Sequence, residues 1–348
     1  MTTTDDSTAP LCFLVGATAS GKKAVALELA RRLPFELLSL DSMKVYRGMD
    51  RGTDKQAPAR FALTNLVEPT VRFSVGDYVR AAGDAVAAIR ARGRLPLFVG
   101  GTGLYLRALV RGLFEVPPID PAVRQAVAEQ VERDGLPAAH AELSRLDPET
   151  AARLHLHDRK RIVRALEVVA QTGESLSSWQ RRATRRPIEG RPLLVGIRWQ
   201  RPALRERIRV RIERMFAAGL VDEVRQLLAA GQLGPVAALA IGYREVIDYL
   251  RAHASLGDGQ QPALPQDERT RLQQLQERVV SDTTTFMRRQ ENWFRQFPEI
   301  RWVDSPGGAA TGRPPTEGDL VARVAAEFER GLAEPAGATH PDRAPPAP

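Results

Sequence analysis

Leu11-Cys12-Phe13-Leu14-Val15-Gly16-Ala17-Thr18-Ala19-Ser20-Gly21-Lys22-Lys23 decides the fold. Five apolar residues in a row, closed by a glycine, read as a parallel strand buried on both faces. Helical apolar spacing follows over residues 25–33. Glycines at 16 and 21 with a lysine at 22, set between strand and helix, form a phosphate loop: successive backbone N–H groups and the helix N-terminus cradle an anion. Gly16, Ala17, Thr18, Ala19, Ser20, Gly21, Lys22 and Lys23 are the candidate diphosphate- or nucleotide-binding residues. Lys22 supplies a full charge to the outer phosphate. Position 23 departs from the pattern, because a Ser or Thr hydroxyl there normally ligates Mg²⁺. The lysine is expected to stand partly in the metal's place as a counter-charge.

Further short apolar runs at 37–40, 95–99 and 193–197 alternate with helical patterns at 81–92 and 204–216, and 300–303 reads as a late edge strand. The alternation predicts a doubly wound α/β sheet. Residues 114–191 break the rhythm: they show helical patterns punctuated by Pro117-Pro118, Gly135, Asp147-Pro148 and Gly173 and read as a helical insertion. The expected organisation is a disordered lead at 1–10, an α/β core at 11–113 and 192–330 with C-terminal helices, the insertion at 114–191 and a disordered tail at 331–348. Residues 255–262 read as a loose polar segment before a helix at 264–296, and 306–315 as a Gly/Pro-rich loop.

The chain has 348 residues, enough for two units, and a hydrophobic fraction of 43%, enough for a sizeable core. No apolar run approaches the roughly 20 residues a bilayer needs. The polar start carries Asp5 and Asp6 and lacks the pattern of a signal peptide. One cysteine, Cys12, excludes an intrachain disulfide and fits a reducing cytoplasm. The net charge of +8 favours a polyanionic partner, although arginine-rich composition contributes. His140, His155, His157, His253 and His340 show no metal-ligand spacing.

Asp41 closes the second strand, at the sheet edge where α/β folds bind ligands. It is a candidate proton acceptor, or a holder of a metal's water, with a helix N-cap or turn residue as the alternative. Gly100-Gly101-Thr102-Gly103 closes the third strand, with glycines for close approach and a hydroxyl at Thr102. Arg207, Arg211 and Arg214 share one helical face. Arg159, Lys160, Arg161 and Arg164 cluster on another helix, near Arg153 and Arg181-Arg182, with Ile162, Leu166 and Val169 as its buried side.

In this order and spacing, the motifs resemble the tRNA dimethylallyltransferase family, the bacterial tRNA isopentenyltransferases. The matching segments are Thr18 to Lys22, Asp41-Ser42-Met43-Lys44-Val45-Tyr46-Arg47-Gly48-Met49-Asp50, Gly52-Thr53-Asp54-Lys55, Gly100 to Tyr105, Asp158 to Val168, Ile241-Gly242-Tyr243-Arg244-Glu245, and Arg289-Gln290 with Trp293-Phe294-Arg295. They run from Gly16 to about Trp293. The resemblance implies a phosphate-loop α/β core that transfers a dimethylallyl group from dimethylallyl diphosphate to N6 of the adenosine 3′ of the anticodon.

Asp41 is then the general base, Thr102 contacts the target nucleotide, and Lys22 and Arg211 stabilise departing pyrophosphate. Ser42, Met43, Lys44, Arg124, Lys160, Arg161, Ile162, Val163, Arg164, Gly242, Tyr243, Arg244, Arg288, Arg289 and Gln290 join Asp41 and Thr102 as tRNA-binding candidates. Mg²⁺, by way of Ser20 or Asp41, is the implied cofactor, the tRNA anticodon stem-loop the implied partner, and a cytoplasmic monomer the implied state. Several positions depart from the family pattern: Ala17 for proline, Lys23, Lys44 for glutamine, Phe61-Ala62-Leu63-Thr64-Asn65, Leu239, Thr284 and Asn292. They keep two alternatives open, a tRNA-binding paralogue without catalysis and a small-molecule kinase.

Overall fold

Strand β1 (Pro10–Val15) lies between β4 (Leu95–Gly100) and β5 (Arg191–Arg198) in a sheet of order β3-β2-β4-β1-β5-β6. The remaining strands are β2 (Phe35–Leu40), β3 (Phe61–Ala62) and β6 (Arg301–Asp304), and every pairing is parallel. The computed structural model describes residues 9–55, 60–113, 116–182, 187–254, 268–305 and 317–335. Apolar runs without alternation give the inner strands because both of their faces are covered. Phe13 of β1 stacks on Phe98 of β4 at 5.1 Å on one face. On the other face Cys12, Leu14, Leu97, Leu193 and Val195 meet α1 (Lys22–Arg32) and α13 (Glu317–Ala333), where Phe328 packs edge-on against Phe35. Burial pushes the Cys12 thiol up to about 12, as for an inert core cysteine.

Most crossovers are helical. α2 (Val75–Ala91) starts at a capping box in which Ser74 and Asp77 satisfy each other's backbone N–H groups. α3 (Gly103–Arg111) follows β4. After β5 come α9 (Arg201–Ala217), α10 (Leu220–Ala229), α11 (Tyr243–Ala254) and the long α12 (Glu268–Phe294). No helix among the described residues is long and apolar enough to cross a membrane.

The chain divides into two compact units, Met1–Arg107 with Ile188–Pro348, and Ala108–Pro187. The second holds α4 (Pro121–Asp134), α5 (Leu136–Leu146), α6 (Pro148–Ala152), α7 (Arg159–Thr172) and α8 (Leu176–Arg181) around Val127, Val131, Leu143, Ile162, Ala165 and Leu166. Val168, not Val169, completes the buried side of α7. Asp158 caps α7 and Gly173, in the left-handed region, ends it.

Three features differ from the sequence reading. Pro10 is not part of a disordered lead: it opens β1 opposite Arg191, a position where a strand tolerates a missing N–H. The tail does not begin at 331, because Gly331 and Leu332 lie in α13 and the Gly331 carbonyl accepts a 2.7 Å bond from Arg191. β3 and α13 are additions. The expectations for 1–8, 255–262, 306–315 and 336–348 fall outside the described residues.

One buried carboxylate fixes the loop that follows β2. Glu223 of α10 accepts from the backbone N–H groups of Asp50 (3.1 Å), Arg51 (2.8 Å) and Gly52 (3.4 Å), and from the Tyr243 hydroxyl. Gly52 is required here, since a Cβ would stand 2.3 Å from the Tyr243 ring. Burial, then Glu223, drives the Tyr243 pKa far above the usual phenol range. Removing the acceptor strands four donors, so Glu223→Ala is expected to destabilise the core by roughly 3 kcal/mol or more, and Glu223→Gln by less. Thermal unfolding followed by circular dichroism checks this, and an unchanged melting temperature contradicts it.

Candidate active site

A cleft of about 740 Å³ opens at the carboxyl ends of β1, β2 and β4. Eight cationic side chains line it against four carboxylates, which makes it a site for anions. A second cleft, of about 810 Å³, lies over the β2 edge between α1 and α2. Of the charged groups that line it, Arg92 pairs with Glu36, and Arg31 with Glu28 outside it.

The phosphate loop forms the floor of the first cleft. Gly21, at φ 85°, is the N-cap of α1, and Ala19 also adopts positive φ. These reversals aim the loop inward, and α9 with the residue pair before it braces the loop from outside. Trp199 donates from its indole to the Ser20 carbonyl (3.0 Å). Arg207 stacks over Trp199 and donates to the Ala19 carbonyl (2.9 Å), while Arg211 donates to the Thr18 hydroxyl (2.6 Å). Arg214 reaches the cleft one turn on. The basic face read on α9 therefore points at the phosphate loop.

Gln290 of α12 ties the loops together. Its carbonyl oxygen accepts from the Thr18 N–H (2.8 Å) and its amide donates to the Gly101 carbonyl (2.9 Å). A Cβ at Gly101 would stand 2.3 Å from that amide nitrogen, and one at Gly100 2.1 Å from the Leu40 carbonyl oxygen. These glycines admit the protein's own backbone and side chains, where the sequence suggested a ligand.

Lys22 bonds the Ala17 carbonyl (2.6 Å) and the Ser20 hydroxyl (3.1 Å). Burial first, then the like charges of Arg211 and Lys44, pull its pKa down to about 7, against the opposing pull of Asp41. Lys44 is lowered too, chiefly by burial, although Asp41 raises it. Asp41 lines the same cleft and forms a turn: Oδ1 accepts from the backbone N–H groups of Met43 (2.9 Å) and Lys44 (3.4 Å). Oδ2 makes no hydrogen bond to the described residues. Beneath lie the stacked rings of Tyr78 and Tyr105, with the Tyr78 hydroxyl on the Ser39 carbonyl (2.7 Å).

Several expected residues are elsewhere. Thr102 does not line the cleft; its hydroxyl accepts the Ser42 N–H (3.1 Å) and so positions the Asp41 turn. Tyr243 is fully buried on Glu223 and has no surface for tRNA. Ile162 is fully buried in the core of the Ala108–Pro187 unit, with Val163 partly against it. Gly242 turns the chain before α11 at φ 92°, with its N–H on Glu245 (2.6 Å). Arg244 is paired to Glu245 and Asp282, whereas Arg288 and Arg289 are exposed on α12. In the Ala108–Pro187 unit, Arg124 and Arg164 face Glu167 and Arg161 faces Asp158; Lys160 is exposed and has no ion pair among the described residues.

Sequence reasoning did not single out Asp54 as a site residue. It lines the cleft with its carboxylate 3.5 Å from Lys23 and 3.8 Å from Arg211. The local signal was its place in Gly52-Thr53-Asp54-Lys55. Among the other departures, Lys44, Phe61 and Thr64 line the same cleft, Leu239 is exposed, Thr284 bonds the Val280 carbonyl, and Asn65 holds the buried Lys55 ammonium (2.6 Å).

The protein groups fit Mg²⁺ poorly. That ion wants a near-octahedral set of oxygens. Ser20 is buried with its hydroxyl accepting from Lys22, Asp41 Oδ1 is taken by two N–H groups, Asp54 faces two cations, and position 23 carries an ammonium. No cluster of three His, Cys, Asp or Glu side chains able to hold a metal occurs among the described residues.

The family model described as IPP transferase matches residues 44–297. A tRNA dimethylallyltransferase of Geobacter sulfurreducens is 41% identical over 304 residues, covering 85% of this chain and 92% of the relative. One from Nocardioides sp. is 42% identical over 306 residues, covering 86% and 93%. A tRNA isopentenylpyrophosphate transferase structure from Bacillus halodurans is similar with a TM-score of 0.61 and 30% identity, covering 93% of this chain and 98% of that one. A eukaryotic dimethylallyltransferase acting on tRNA, 20% identical, shares the fold at a TM-score of 0.74, covering 95% and 81%.

The position of Lys22 has a measurable consequence. Below about pH 7 it is protonated, and above that it is largely neutral until a bound anion raises its pKa again. An organic diphosphate, fully ionised in this range, is therefore expected to bind with proton uptake and to lose affinity from roughly pH 7 to 9, by at most about tenfold per pH unit for one linked proton. Calorimetry in buffers of different ionisation enthalpy measures the uptake. It should shrink in Lys22→Arg, and a pH-independent affinity contradicts the assignment.

Proposed function

The chain belongs to the IPP transferase family, and from that premise we propose that it moves a dimethylallyl group from dimethylallyl diphosphate to N6 of the adenosine 3′ of the anticodon in tRNA, releasing pyrophosphate. Its relatives are tRNA dimethylallyltransferases over most of its length, so its chemistry is prenyl transfer to tRNA. The donor, the target atom and the residue roles are our reading. The observation that carries it is the opening of Asp41 and the phosphate loop onto one cleft.

N6 forms a bond to the allylic carbon as that carbon's bond to the diphosphate oxygen breaks. The N6 proton passes to Asp41 Oδ2, the oxygen left free by the turn. The electron pair of the broken bond leaves on pyrophosphate, held by the loop N–H groups, Lys22 and Arg211. Fixed charges of this kind stabilise a leaving anion without reorganising. Thr102 serves as a positioning residue for Asp41 through the Ser42 N–H. Mg²⁺ has no assigned step, because the protein offers it no free ligand set.

The target base must leave its stack to reach a cleft floor. We assign tRNA contacts to Ser42, Met43, Lys44, Arg244, Arg288 and Arg289 in one unit, and to Arg124, Lys160, Arg161 and Arg164 in the other; Gly242, buried with its N–H on Glu245, shapes the turn instead. Contacts of this kind mostly position RNA through its phosphates. The reading takes the chain as a cytoplasmic monomer.

Incubating the protein with unmodified tRNA and dimethylallyl diphosphate, then digesting the tRNA, should yield isopentenyladenosine by mass. Asp41→Ala should lower the rate about 10²–10⁴-fold, the range for a lost general base, and a wild-type rate removes Asp41 from that role. Binding of tRNA without product at any Mg²⁺ concentration favours the non-catalytic paralogue, and tRNA-independent ATP turnover favours the kinase. Lys160→Ala should lower the salt dependence of tRNA binding by about one unit of slope. Ile162→Ala should leave that slope alone and destabilise its unit by about 2–5 kcal/mol. A slope unchanged in Lys160→Ala removes that contact.

A further inference from the structure

Asp54 is one of four carboxylates in a cleft where cationic side chains are in excess. A rigid turn presents it: its N–H bonds the Arg51 carbonyl (3.2 Å), its φ is 52°, and Glu223 and Lys55 fix the residues on either side. A left-handed backbone is uncommon outside glycine, although Asp tolerates it better than most residues. The carboxylate faces two cations and grips neither closely. Lys23 Nζ is 3.5 Å from both its side-chain and main-chain oxygens, and Arg211 Nε is 3.8 Å from Oδ2. Charge-assisted hydrogen bonds run about 2.7–2.9 Å.

Arg211 Nε is also buried without any hydrogen-bond partner. A buried donor left unmade is costly, and this one is covered on the Asp54 side, with Oδ2 3.8 Å away. The hydroxyl that a phosphate loop normally offers a divalent metal is replaced by Lys23, whose ammonium already faces into the cleft.

We propose that Asp54 is a stand-in for the donor's phosphate, pairing Lys23 and Arg211 until diphosphate displaces it, so that side-chain cations neutralise the bound donor without obligatory Mg²⁺. Lys22 and Lys44 line the same cleft and add to the positive charge around the site. The proposal rests on the reading of this cleft as a diphosphate site. Displacement swaps one anion for another across Lys23 and Arg211, and breaks and makes no covalent bond. It gives Lys23 the electrostatic part of the metal's task and gives the orphan N–H of Arg211 an acceptor.

The test is titration of the full chain with inorganic pyrophosphate, in saturating Mg²⁺ and in excess chelator, by calorimetry. Wild-type affinity should differ by less than about threefold between the two conditions, because the protein cations stand in for the ion. Asp54→Asn should bind about tenfold more tightly in chelator, a competing anion having been removed. Lys23→Thr restores the hydroxyl and should lose about tenfold in chelator but recover with Mg²⁺. Lys23→Arg keeps the charge and should remain indifferent to the metal, which guards against misreading a poorly folded Lys23→Thr.

Loss of wild-type binding in chelator, restored by Mg²⁺, overturns the inference and leaves the diphosphate reading standing. Weaker binding of Asp54→Asn in Mg²⁺ overturns it as well, by making Asp54 a ligand of the ion. No binding in either condition removes the diphosphate reading and the inference together.

Discussion

The amide of Gln290 carries the constraint on which the cleft depends. One oxygen and one nitrogen, on a helix far along the chain, hold the N–H of Thr18 and the carbonyl of Gly101. The first belongs to the turn after β1 and the second to the turn after β4, neighbours in the sheet. A parallel sheet brings such turns to one edge, but it leaves their N–H and C=O groups unpaired. Gln290 satisfies one of each, and only glycine at 101 leaves room for it. Arg207, Arg211 and Trp199 then brace the far side of the phosphate loop. The loop is shaped before any anion arrives, which is what lets it bind one without reorganising.

That preorganisation has an electrostatic counterpart. The charge of Arg211 depresses the proton affinity of both Lys22 and Lys44, and Lys44 adds to the effect on Lys22. The free protein offsets the crowding with Asp41 and Asp54 inside the cleft, while exposed Asp50 neutralises the buried Lys55 at its margin. The Ala108–Pro187 unit handles charge differently. Its sequence holds thirteen basic and eleven acidic residues, and most of the basic side chains on α7 are paired. The excess positive charge of the chain therefore lies mainly in the α/β unit. Exposed pairs on a helix are weak and screened by salt, so a polyanion can exchange for them readily.

The sheet was largely legible because its inner strands are short, mostly apolar runs, three of them closed by Gly or Asp, and such runs have few other uses. β3 was not, since two residues carry no periodic signal and acquire strand geometry only by pairing with Leu37 and Leu38. α13 has a readable apolar stripe at Leu320, Val324 and Phe328, yet it follows a stretch rich in Gly and Pro that drew the eye to loops. In the site, the phosphate loop, Asp41 and Arg211 could be placed together because each sits at a strand end or on a helix beside one. Gln290 could be named but its task could not: its partners lie 189 and 272 residues away. Tyr243 and Ile162 were misplaced for a shared reason, as membership of a motif does not say which way a side chain points. For Ile162 the helical spacing with Leu166 already argued for the core.

Cys12 lies at the centre of all this, on the middle strand, with no exposed surface. Burial keeps its thiol in the unreactive protonated form. No fraying end or moving loop uncovers it, because β4 and β5 flank it and two helices cover its face. A thiol reagent reaches it only when the sheet itself opens. As the sole thiol in the chain it gives a single-site clock for global opening of the α/β unit, blind to local motion at the cleft rim. The rate at which it becomes labelled reports how firmly the whole sheet, and with it the floor of the phosphate loop, is held shut.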